Sequence, residues 1–115
     1  MSTVSKTDHD LVIELTTLEK VAALHGDIRI PLSAIAGVEV VPDALAAVRG
    51  LRAPGLALPG RTKIGTWRTR TGAEFVVALR GQPGVRFTLT GHKLTSVLLG
   101  DEDAERVADR VRSVR

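Results

Sequence analysis

The 115-residue sequence contains no cysteine. A disulfide framework and thiolate metal sites are therefore excluded, and the composition suits a reducing compartment. Tyrosine is absent as well, and Trp67, Phe75 and Phe87 are the only aromatic residues. The stacking platforms that hold single-stranded nucleic acid are thus missing, and nucleic acid is an unfavourable partner. No apolar run approaches the roughly 20 residues that span a bilayer. The start, MSTVSKTDHD, lacks the apolar core of a secretory signal. Together these absences lead us to expect a cytoplasmic protein, with residues 1–10 as a flexible lead-in and residues 11–115 as one domain.

Charge is present but unevenly placed. The chain carries a net +3, yet residues 1–48 hold three Lys/Arg against seven Asp/Glu, and residues 49–93 hold nine against one. Such a basic middle attracts an anionic partner, or else forms the solvated face of a sheet.

Short strand signals follow one another along the chain. In LVIELT, Leu11, Ile13 and Leu15 share a face, and LEKVAALHGD can pair back on it. IRI stops at Pro31, which has no ladder donor, and a strand resumes near Ala36–Val41. TKIGTWRT, AEFVVALRG, VRFTLT and LTSVLLG complete the series. Phe75, Val77 and Leu79 oppose Glu74, Val76 and Ala78, while Val85, Phe87 and Leu89 oppose Arg86, Thr88 and Thr90. Pro42 and Asp43 can open a helical turn through Val48, but the rest of residues 42–62 shows no clear element. DEDAERVADRVRSVR has an apolar stripe at Ala104, Val107, Ala108, Val111 and Val114, with acids at its start and arginines at its end. Both features predict an amphipathic helix whose charges complement its dipole. The fold class is mainly β (α+β): a bent antiparallel sheet or partial barrel of about seven strands, capped by the C-terminal α-helix.

Three stretches carry a resemblance to a known family: IRIPLSAIAGVEVV (28–41), GLALPGRTKIGTWRTRTGAEFVVAL (55–79) and LTSVLLGDEDAERVADRVRSV. They resemble the bacterial pleckstrin-homology-like domains. The resemblance implies a seven-stranded bent barrel closed by a terminal helix, and it points to no enzymatic activity. Eukaryotic pleckstrin-homology domains, similar in shape, often bind phosphoinositides through basic residues on the first hairpin. Here that hairpin carries Glu14, Glu19 and Lys20, the wrong sign for phosphate.

Catalytic and metal motifs are missing. GLALPGRT (55–62) is close to the phosphate-cradling G-x-x-x-x-G-K-[ST] pattern, but Arg61 replaces the lysine and Pro59 removes an amide. The TKIGTWR that follows reads as a strand rather than the helix such a loop requires. His9, His25 and His92 have no metal-like spacing, and Ser33 more simply caps the turn after Pro31. No catalytic residue, metal, cofactor or nucleotide is expected.

The candidate contact residues are Arg49, Arg52, Leu56, Leu58, Arg61, Lys63, Trp67, Arg68 and Arg70. Trp67 is either a half-exposed anchor or the largest core residue, and Leu56 and Leu58 are either an exposed apolar patch or a lid over the barrel mouth. The leading expectation is a non-enzymatic binding or scaffold module that contacts a protein partner, or its own copies as a homo-oligomer, through residues 49–70. Association of the basic face with an anionic membrane surface is the alternative. A small-molecule site at the barrel mouth, beneath the 42–62 loop, is a weaker one.

Overall fold

The computed structural model describes residues 3–6, 10–14, 28–58 and 62–112, with side chains for 30–50 and 62–112. It is mainly β with one C-terminal helix. Strands β1 (Thr3–Lys6), β2 (Asp10–Glu14) and β3 (Ile28–Pro31) form an antiparallel three-stranded sheet in sequential order. Thr3–Lys6, expected in a flexible lead-in, thus pairs with β2 through partners such as Val4 and Ile13. The suggested pairing of LEKVAALHGD lies outside the described residues, as do His9, His25 and Val114.

A second sheet holds β4 (Ile35–Val41), β5 (Leu51–Leu58), β6 (Thr62–Thr69), β7 (Gly72–Leu79), β8 (Gly84–Leu89) and β9 (Ser96–Gly100). Its order is β4-β8-β9-β7-β6-β5. Between β3 and β4, Leu32–Ala34 make one 3-10 turn without a side-chain cap, so Ser33 does not play the capping role expected of it.

Three sequence expectations are corrected here, the first being the strand count: nine strands in two sheets are described, against about seven in one sheet or partial barrel. The sheet is mixed rather than antiparallel, because β7 and β9 run parallel. The cause is the insertion of β9 between β7 and β8. Two successive reversals give β9 the direction of β7, and the Arg80–Pro83 turn spans an intervening strand, roughly 10 Å, instead of closing a tight hairpin. In addition, Leu51–Leu58 is a full strand, where no element was expected. Pro54 is tolerated because β5 lies at the sheet's edge, and the register slips between Arg52 and Gly55.

Period-2 alternation sorts the sheet's side chains into two buried clusters. On the first face, Ile64, Phe75, Val77, Val85, Phe87, Val97 and Leu99 pack with Ile30 from the small sheet. Helix α1 (Ala104–Arg112) covers this cluster with Ala104, Ala108 and Val111, and it lies against β4 and β8. Arg112 Nη2 donates to the Val38 carbonyl on the edge strand β4 at 3.0 Å. The Asp101 carboxylate accepts from the Asp103 N–H at 2.8 Å, which places one of the expected acids as a cap before the helix.

On the second face, Val41, Trp67, Val76, Ala78 and Leu98 lie under Ala44, with Leu45, Ala47 and Val48 packed alongside. The 42–50 segment is therefore a strap across the back of the sheet. Its single turn matches the sequence expectation. The Ala47 N–H reaches the Asp43 carbonyl at 3.1 Å, the Asp43 carboxylate accepts from the Ala46 N–H at 3.2 Å, and the Ala44 N–H bonds the Gln82 carbonyl at 2.9 Å. A central strand covered on both faces reads as a continuous apolar run. Residues 74–78 of β7 are accordingly all buried.

Candidate functional site

The run of apolar side chains on β7 begins with a charge. Glu74 is fully buried on the strap side of the sheet, opposite Trp67 on β6 and Ser96 on β9. A carboxylate in such a place is tolerated only when its oxygens are matched by charged or polar donors. The matching comes chiefly from Arg86, whose Nε donates to Oε2 at 2.8 Å and whose Nη2 donates to Oε1 at 3.2 Å. Ser96 Oγ donates to Oε2 at 2.7 Å. The remaining hydrogen of Arg86 Nη2 serves the Ala47 carbonyl, tying the network to the strap. Arg49 closes the group from outside, with Nη2 3.9 Å from Oε2 and 58% of its side chain exposed.

This network opens into a cleft of about 470 Å³ whose lining includes Glu39, Arg49, Thr71, Arg86, Thr88 and Ser96. Backbone register explains the assembly. Arg86 is opposite Glu39 on β4, and Thr88 is opposite Ser96 on β9, so all four side chains project from the same face. Thr71 enters from the β6–β7 turn, where its hydroxyl lies 3.1 Å from that of Thr69. A second recess, of about 370 Å³, shares Arg49 and Thr71 with the first and adds Gly50, Thr69 and Arg70.

The contact residues expected from the sequence do not form one patch. Arg49, Arg68 and Arg70 are exposed at the end of the sheet where β6 passes into β7. Lys63 sits near the other end of β6, five residues before Arg68, a separation of about 17 Å along the strand. Trp67 is 4% exposed and belongs to the second cluster, which decides for the core alternative and removes it from the surface. Arg52, Leu56 and Leu58 are placed on β5 by their backbone alone, and Arg61 lies outside the described residues. His92 sits in a turn, where its Nδ1 accepts from the Leu94 N–H at 3.1 Å. Among the described residues no group of three His, Asp or Glu is placed to hold a metal.

Sequence reasoning missed Glu74, Arg86 and Ser96. It set Arg86 with Thr88 and Thr90 opposite the apolar side of β8 and gave it no role, whereas its side chain is only 11% exposed. A signal was present nonetheless. Glu74 is the one acid between residues 49 and 93, and it alternates with Val76 and Ala78 on an apolar face. An acid in that position calls for a buried cation, and Arg86 is the one charge in VRFTLT.

Comparison with protein-family models, with curated proteins and with solved structures finds no match for this chain.

Proposed function

We propose that this chain is a non-enzymatic binding module of pleckstrin-homology-like architecture that engages an acidic, extended protein segment through its 49–70 region. The observation that carries this reading is the gathering of Arg49, Arg68 and Arg70 at one end of the sheet, beside the edge strand β5. An edge strand presents backbone donors and acceptors on its unpaired side, and an incoming extended segment satisfies them by adding a strand. Side-chain charge then selects among segments. Residues 49–70 include six Lys/Arg and no Asp/Glu, so an acidic segment is favoured.

A second copy of the chain is a poorer occupant, because two such spans would bring like charges together. An anionic membrane surface suits the charge but not the geometry, since Lys63 is far from the three arginines. No helix among the described residues is long and apolar enough to cross a membrane.

The test is fluorescence anisotropy with a labelled peptide of alternating Glu and Val, beside a length-matched Gln–Val peptide. The acidic peptide is expected to bind more tightly, with affinity falling as salt rises. The Arg68→Glu/Arg70→Glu double variant should weaken it by about tenfold or more, since two favourable contacts become repulsive. Equal affinity for the two peptides, or an unchanged double variant, refutes the reading. Salt-sensitive sedimentation with phosphatidylserine vesicles in place of peptide binding favours the membrane instead.

A further inference from the structure

Neither the acidic-segment reading nor any stability requirement accounts for the cleft beside the strap. We infer that this cleft, walled by Glu39 on one side and by Arg49 and Arg86 on the other, is a binding site for a small zwitterion that carries a carboxylate and an ammonium group.

One charge pair that the register sets up does not form. Glu39 and Arg86 are direct cross-strand partners on β4 and β8, and opposite charges so placed ordinarily meet. Arg86 is instead drawn along the sheet to Glu74, which holds it by two nitrogens. Glu39 is left with no hydrogen-bond or ion-pair partner among the described residues, at the wall of the cleft. An ammonium group of a ligand would take the place that Arg86 has left.

The opposite wall supplies the complementary charge. Nε and Nη2 of Arg86 are committed to Glu74 and Ala47, but Nη1 has no partner among the described residues. Nor is Nη1 sealed from solvent, since among the described residues the one buried side-chain polar atom without a partner is Gln82 Oε1. Arg86 lines the cleft, so this nitrogen offers two donors in a fixed direction. Arg49 stands beside it with most of its surface free. Two guanidinium groups converging on one space form a carboxylate clamp.

A plain anion is a poorer fit. Glu74 is bound to the clamp and Glu39 lines the same cleft, so their two charges offset the two arginines. A ligand with charges of both signs leaves every group matched, its ammonium on Glu39 and its carboxylate on the two arginines. The volume of about 470 Å³ lies within the roughly 300–1,000 Å³ common for small-molecule sites. Rigidity adds to the case, because the buried carboxylate fixes Arg86 in advance and little ordering is left for binding.

Amide-resolved NMR titration of the full chain tests this site. The probes are glycine, β-alanine, γ-aminobutyrate and ε-aminocaproate, which bracket the span between the walls, with acetate and ethylammonium as single-charge controls. At least one zwitterion is expected to shift the amides of Glu39, Arg49, Thr88 and Ser96 at concentrations of about 10 mM. Acetate and ethylammonium should each bind about fivefold more weakly or worse, having one wall to hold instead of two. Glu39→Gln and Arg49→Gln should each weaken the zwitterion by about the same factor while leaving spectral dispersion intact, since both residues are exposed. The inference is overturned if no zwitterion shifts these amides, if acetate binds as well as the best of them, or if Glu39→Gln changes nothing. Arg68 and Arg70 do not line this cleft, so their substitution leaves zwitterion binding unchanged and separates this site from the peptide surface.

Discussion

Glu74 is held by two arginines of very different standing, and removing each in turn separates buried from exposed electrostatics. Arg86 approaches through two nitrogens at 2.8 and 3.2 Å and is 11% exposed. Arg49 approaches at 3.9 Å and is 58% exposed. Arg86→Ala strands a fully buried carboxylate, and breaking a buried pair in this way costs about 3–5 kcal/mol. The same change also frees the Ala47 carbonyl and loosens the strap, which places it toward the upper end. Arg49→Ala removes only a screened surface contact, for which about 0.5 kcal/mol is expected. Glu74→Ala should resemble Arg86→Ala, because it leaves an enclosed guanidinium and the Ser96 hydroxyl without their acceptor. The double variant Glu74→Met/Arg86→Met should recover much of the loss, since apolar replacement of both partners leaves no stranded charge. Urea denaturation followed by far-ultraviolet circular dichroism reads these differences as midpoint shifts. With a slope of about 1–3 kcal/mol per molar, the 3–5 kcal/mol variants lose more than about 1 M in midpoint. Equal costs for Arg49→Ala and Arg86→Ala, or a double variant that loses as much as the two single changes added together, would refute this account.

Two further substitutions probe the strap and its support. Trp67→Ala empties a site that is 4% exposed beneath the strap and should cost about 3–5 kcal/mol, read as a lowered unfolding midpoint; near-native stability combined with lost peptide binding would mean that the indole faces a partner after all. Gly50 has a φ of +84°, and a Cβ there would run into the Arg68 carbonyl oxygen. Gly50→Ala should therefore destabilise by more than about 1 kcal/mol, whereas Gly81→Ala, with a similar φ but open space around it, should cost less.

Much of the first face was legible in the sequence because burial there follows simple alternation. Val85, Phe87 and Leu89 fall where period-2 spacing puts them, and the helix stripe at Ala104, Ala108 and Val111 is buried as its spacing requires. Strand order was not legible. VRFTLT and LTSVLLG read the same whether β9 pairs outside β8 or inserts beside β7, and the insertion is set by non-local packing. The Leu51–Leu58 strand was hidden by Pro54 and Gly55, which signal a turn locally but are tolerated on an edge that slips register. The candidate site was half visible. Arg49 was singled out for its charge, but its place in the site depends on Glu74, Arg86 and Ser96, which meet only across three strands.

The position of that network follows from how the second face is covered. Helix α1 supplies an apolar lid for the first face, but the strap is short and contributes only small or half-buried apolar side chains from Ala44 to Val48. It shields Trp67, Val76 and Leu98 and, among the described residues, leaves the neighbouring part of the face without apolar cover. Polar residues occupying β4, β8 and β9 there must either face water or satisfy one another. Glu74 lies at the boundary between the two regimes, enclosed by Trp67 on one side and reached by arginines on the other. A buried ion pair seldom adds net stability over an apolar replacement. A carboxylate at this boundary does something an apolar residue could not: it turns Arg86 away from its cross-strand partner and leaves two unlike charges facing each other across open space. If the Glu74→Met/Arg86→Met protein folds with near-native stability yet no longer takes up any zwitterion, the network exists to shape the cleft. If stability falls and zwitterion uptake persists, Arg86 is no part of the carboxylate clamp, the inference is overturned, and the network serves to hold the strap.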